Sequence, residues 1–111
     1  MKFLMLVLSD PARSSDEEPP VPIEQWVEEA YGSGKATDGD RLRPSAEART
    51  IRRRDGEVRV TDGPATPAHV EIAGFDILEC ADMEEAITLA GRHPMATAGI
   101  IELRPTWPLD L

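Results

Sequence analysis

A chain of 111 residues has the length of one domain with a modest core, one that buries about two-thirds of the surface its unfolded form exposes, so no second catalytic domain is expected. Twenty-one acidic against twelve basic residues leave a net charge of −9, which repels nucleic-acid phosphates. The single cysteine, Cys80, excludes an intrachain disulfide and fits a reducing cytoplasm, and no apolar run approaches the ~20 residues of a membrane span. Expected, then, is a soluble cytoplasmic protein, residues 1–111 forming one domain, with no nucleic-acid or membrane partner.

Phe3-Leu4-Met5-Leu6-Val7-Leu8 is too short for a signal peptide, and it is apolar at both parities, as in a strand whose sheet is covered on both faces. Two helices of so small a domain cover one face; the other asks for a second copy of the sheet, hence a homodimer. Ser9 to Pro22, with four prolines and a Ser-Asp-Glu cluster, reads as a mobile loop or flap. Ile23, Trp26, Val27, Ala30 and Tyr31 carry the 3–4 spacing of an amphipathic helix that stops near Ser33, where Gly32 and Gly34 follow the pattern's end. A weak strand at Asp38–Leu42 and a loop at Arg43–Glu47 come next.

Asp55-Gly56 lies between two β-branched and basic stretches, near Ala48–Arg54 and Glu57–Thr61. This is the pattern of a two-residue hairpin whose central residues take positive φ. Its arginines, 49, 52, 53, 54 and 59, are expected to form a solvated face near the acidic remainder of the chain. After an irregular Pro64–Ala73, Phe75–Cys80 reads as a strand. Asp82 with Glu85 forms a capping box, Ile87, Leu89 and Ala90 supply the buried side of a second helix, and Arg92, His93 and Pro94 close it. A short loop then leads to the last strand, Gly99–Arg104. Strand, helix, strand, hairpin, strand, helix, strand is the order of an α+β fold: a ferredoxin-like antiparallel sheet with two helices on one face.

The segment Thr50 to Pro64, carrying Asp55-Gly56 and Asp62-Gly63-Pro64, resembles the signature of the DGPF branch of the YCII-related proteins. The opening strand, Leu42-Arg43-Pro44, Gly74-Phe75, Asp82–Ala90 and Glu102-Leu103-Arg104-Pro105 look like their counterparts there. The resemblance implies a dimeric α/β barrel in which two sheets pack face to face. Proteins of that fold bind or transform small, often cyclic or aromatic, organic molecules without a tightly bound cofactor, so no cofactor is expected. It also implies an alternative role, as a non-catalytic regulatory partner of extracytoplasmic-function sigma factors. This chain departs from the branch in having Ala65 in place of phenylalanine, and Pro67-Ala68-His69-Val70 where many members carry a charged Glu-Thr-Lys-Glu run.

Chemistry-bearing candidates are few. Imidazole is the side chain whose ordinary pKa lies nearest neutrality, and the chain has only His69 and His93. His93 reads either as a C-terminal helix cap with a raised pKa or as a general acid or base beside Asp62, whose own alternative is to cap a turn before Gly63-Pro64. His69 is either a loop histidine or a ligand contact. Glu102 and Arg104 share one parity of the last strand and point away from the helices if Ile101 and Leu103 face them, so they serve either as ligand contacts or as a structural pair. The histidine–aspartate pair proposed for the other family branch has no counterpart, because Ile23–Ser33 contains no histidine. The two histidines, twenty-four residues apart, lack the spacing of a zinc site, and no phosphate loop or nucleophile elbow occurs. Whether the chain is an enzyme rests on an expected cavity rather than on a motif.

Overall fold

The computed structural model describes residues 1–13 and 16–110. Strand β1 (Lys2–Leu8) leads into helix α1 (Ile23–Gly32) and strand β2 (Ala36–Arg41). A hairpin of β3 (Arg49–Arg54) and β4 (Glu57–Asp62) follows, then β5 (Ile72–Glu79), α2 (Met83–Gly91), the short α3 (Pro94–Ala98) and β6 (Ile100–Pro105). The main sheet has the order β2-β5-β1-β6 with antiparallel neighbours, which is the ferredoxin-like α+β arrangement. The hairpin forms a separate two-stranded sheet. Of the Ser9–Pro22 loop, Ser14 and Ser15 lie outside the described residues.

β1 shows why its apolar run is continuous. Phe3, Met5 and Val7 are buried with Trp26 and Ala30 of α1 and Ala86, Leu89 and Ala90 of α2 in one core cluster. Leu4, Leu6 and Leu8 alternate with them on the opposite face and are only partly buried. Register carries that division across the sheet: Leu78 lies opposite Phe3, while Ile77 and Phe75 lie opposite Leu4 and Leu6. One face of the sheet therefore rests on helices, and the other is open on this chain.

Local sequence explains the element ends. Val21 and Trp26, both buried, occupy the two positions of a hydrophobic staple around the start of α1. Asp82 N-caps α2 by accepting the Glu85 N–H at 2.9 Å, as expected, but the Glu85 carboxylate reaches back one residue further than a capping box requires and accepts the Ala81 N–H at 3.2 Å. At the hairpin, Asp55 and Gly56 take φ of 53° and 80°, the positive pair that the dipeptide predicts. Two local expectations need correction. Ile87 is exposed and Ala86 takes its place in the core, because Ala86, Leu89, Ala90 and His93 make the true 3–4–7 stripe. The segment after Pro94, expected as a loop, is the helical turn α3.

Candidate functional site

The amphipathic stripe of α1 is wider than the core needs. Trp26 and Ala30 enter the core, whereas Ile23, Val27 and Tyr31 beside them line a cavity of about 590 Å³ between α1, the sheet and the segment at 93–95. Its wall is largely apolar, with Val7, Trp26 and Met95 among the lining residues, and the polar residues along it are few: Tyr31, Asp40, Arg41, Asp76 and His93. A cavity of this size and character suits a small organic ligand.

Asp76 stands in an otherwise apolar strand, opposite Met5 of β1 and Gly39 of β2, on the helix-covered face. Burial there pushes its carboxyl pKa up, and the hydroxyl of Tyr31, which donates a hydrogen bond to Oδ1, partly offsets that rise. Tyr31 is itself held firmly protonated, first by burial and then by its bond to Asp76 and the nearby charges of Asp76, Asp38 and Asp40. Oδ2 has no hydrogen-bond partner among the described residues. Gly39 is what makes room for the pair: a Cβ there would lie 2.5 Å from both Asp76 Oδ1 and the Tyr31 hydroxyl and 2.6 Å from the Phe75 carbonyl.

His93 follows the last turn of α2 in an extended conformation, as a residue before proline prefers, and N-caps α3: its Nδ1 accepts the Met95 N–H at 2.9 Å. The ring is 7% exposed and meets the indole of Trp26 edge-on at 4.6 Å between centroids. Trp26 is fixed in turn by donating from Nε1 to the Leu89 carbonyl at 2.8 Å. Because Nδ1 is an acceptor, the neutral ring carries its proton on Nε2. Nε2 has no partner among the described residues, and no fully buried side-chain polar atom among them lacks one, so this N–H is not fully buried, and His93 is one of the residues lining the cavity. Burial lowers the pKa of the ring, which favours that neutral form. His93 is thus not the C-terminal cap with a raised pKa that its position suggested: α2 ends at Gly91, and burial outweighs any helix-end attraction.

A model of the YCII-related domain family matches residues 1–110. An uncharacterized protein of Rhizobium meliloti (strain 1021) is 35% identical over 75 residues, a stretch covering 66% of this chain and 60% of that relative. The chain belongs to the YCII-related domain family.

In this YCII-related protein the expected candidates do not gather in one place. His93 alone lines the cavity. Asp62 is 88% exposed at the end of β4 and paired with Arg49 at 3.1 Å, so no His93–Asp62 pair forms: the hairpin carries the aspartate outside the cavity. His69 is exposed in the turn at Pro67–Val70 and likewise lies outside it. Glu102 and Arg104 point to the open face, since Ile101 and Leu103 pack on the core, and Arg104 Nε donates to Glu102 at 2.8 Å. Sequence reading missed Asp76, Gly39 and Arg41, and took Tyr31 for a plain core residue. One signal was available, because Asp76 shares its parity with Leu78 in an apolar strand, and a buried carboxylate asks for a reason. No helix is long and apolar enough to cross a membrane, and no group of three His, Cys, Asp or Glu residues fit to hold a metal occurs, among the described residues.

Proposed function

We propose that this protein binds a small organic molecule carrying a carbonyl group in the cavity beneath α1, and assists proton transfer at the adjacent carbon. The observation that carries this reading is the Nε2–H of His93, a fixed donor opening on an apolar cavity that also holds Asp76. With Nδ1 engaged by Met95, the imidazole serves as a hydrogen-bond donor rather than a base, suited to a carbonyl oxygen on which negative charge develops. Asp76 supplies the base: desolvation raises its proton affinity, Tyr31 holds one oxygen, and Oδ2 is free to accept. The C–H bond breaks, its proton passes to Oδ2, its electron pair enters the enolate, and return of the proton to another carbon gives an isomer. No oxidant or reductant is needed. Arg41 at the cavity wall has no ion-pair partner among the described residues and would receive an anionic substituent.

A panel of cyclic enones, lactones and aromatic ketones, followed by thermal shift and then by deuterium incorporation in D₂O, tests this. His93→Asn keeps an N-cap acceptor but loses Nε2–H, so it should lose the ligand-induced shift while folding normally. Asp76→Asn should keep much of the shift and lose exchange. Equal shifts and equal exchange in both variants and the parent would refute the assignment.

We also propose a homodimer with the open sheet faces packed on each other as an α/β barrel. Leu4, Leu6 and Leu8, partly buried and without a helix above them, support it. Sedimentation equilibrium at micromolar concentration should give twice 12.2 kDa, and a monomer mass would refute it.

A further inference from the structure

The β3–β4 hairpin lacks the support that the rest of the chain enjoys. It pairs with no strand of the main sheet, and no hydrogen bond or ion pair joins residues 49–62 to the four-stranded body among the described residues. The chain has a radius of gyration of 16.2 Å, against about 13 Å for a compact chain of this length. Register gives the ribbon two distinct faces. One carries Ile51, Val58 and Val60, which are 67%, 51% and 61% exposed, together with Arg53, opposite Val58. The other sets Arg52 directly opposite Arg59, with Arg54 beside them and Glu57 opposite Arg54, and none of the three arginines has an ion-pair partner among the described residues. A two-stranded ribbon in water is marginal, an exposed β-branched face adds nothing to it, and like charges directly opposite each other weaken it further. A partner surface that is both apolar and acidic would relieve all three conditions.

We infer that the hairpin is an arm that clasps a second copy of this chain along the β2 border of its open sheet face. The occupant follows from charge. Five of the twelve cationic residues and three of the twenty-one acids lie in residues 49–62, so the arm is net +2 and the remainder of the chain −11. The landing place follows from register: Asp38 lies opposite Ile77 and Asp40 opposite Phe75, which puts both carboxylates on the open face beside its apolar centre. Neither has an ion-pair partner among the described residues. Strands of six residues reach about 20 Å, enough to cross the width of several strands of a facing sheet. The arm rests on the dimer proposed above and adds to it a second, electrostatic contact.

Charge reversal tests the arm with the whole chain. Arg52→Glu with Arg59→Glu, and separately Asp38→Arg with Asp40→Arg, should each raise the dimer dissociation constant about tenfold or more at 0.1 M salt, the range of close interfacial charge pairs. All four together should bring it back to within about threefold of the parent. These side chains are exposed, and far-UV circular dichroism checks that each variant keeps its fold. Dimerization unchanged by either pair, or weakened by both without rescue in the combined variant, would overturn the arm while leaving the face-to-face dimer standing. A monomeric parent would overturn both.

Discussion

Phe3, Met5 and Val7 on one side of β1, and Leu4, Leu6 and Leu8 on the other, have the same chemistry and different surroundings. The first set lies under α1 and α2, the second, partly buried, under no helix among the described residues. The acids of the two faces differ in the same way. Asp76, on the helix side, is desolvated, raised in pKa and tied to Tyr31, whereas Glu102, on the open side, makes an ordinary ion pair with Arg104. A helix-covered face is completed by its own sequence, so its polar residues are candidates for chemistry. An uncovered face of equal apolarity asks for a second molecule, so its charges are candidates for recognition.

Substituting along β1 separates the two faces with the largest effect. Met5 is fully buried, so Met5→Ala should cost about 2–5 kcal/mol at any protein concentration. Leu6→Ala should cost less on a single chain, and if a second sheet covers it, the cost should reach the same range and grow on dilution. Urea titration at two protein concentrations distinguishes these outcomes, and a concentration-independent, near-zero cost for Leu6→Ala would mean that the open face faces water.

Gly39→Ala tests the helix side at its polar centre. The added methyl meets a strand carbonyl that cannot yield without breaking the ladder, as well as the Tyr31–Asp76 pair, and overpacking of this kind costs about 1–3 kcal/mol. It should also abolish any ligand-induced thermal shift. Wild-type stability and binding together would show that the pair tolerates displacement and is not the centre of the site.

How much of this was legible in the sequence varies with how local the cause is. The Asp55-Gly56 turn, the Asp82 N-cap and the strand Phe3–Leu8, apolar at both parities, depend on near neighbours or on parity, and all three are present. His93-Pro94 was misread because proline carries two opposite meanings. It ends the helix before it, yet it is favoured as the first residue of the next, where its missing N–H is no loss. The Tyr31–Asp76 pair joins residues forty-five apart through strand register and the absence of a Cβ at Gly39, information that no local pattern holds.

The same misreading of His93 reverses its expected pH behaviour, which makes a sharp and smaller test. Its folded pKa is lowered by burial, so the unfolded chain binds the proton more tightly. The contribution of the neutral ring to stability is present above the ordinary histidine value of about 6.5 and is lost as pH falls through that value toward the folded pKa. His93→Asn retains a capping side chain and removes the titration, so the decline in stability between pH 7 and 5 should flatten in the variant, as read by urea midpoints. A variant that loses more stability at pH 5 than at pH 8 would restore the charged helix-cap reading.

The smallest effect is expected on the open side. Glu102 and Arg104 sit on β6, an edge strand, with Arg104 72% exposed, and a pair at such a border is worth about 0.2–1 kcal/mol. Arg104→Ala should therefore lower stability by less than about 1 kcal/mol, with most of the loss gone at 0.5 M salt, and should leave dimerization nearly unchanged. A loss of several kcal/mol that persists in high salt would place Glu102 in the dry centre of the interface, because removing one partner there strands a buried carboxylate. In that event the charges of the open face, not those of the arm, would dominate recognition of the second copy.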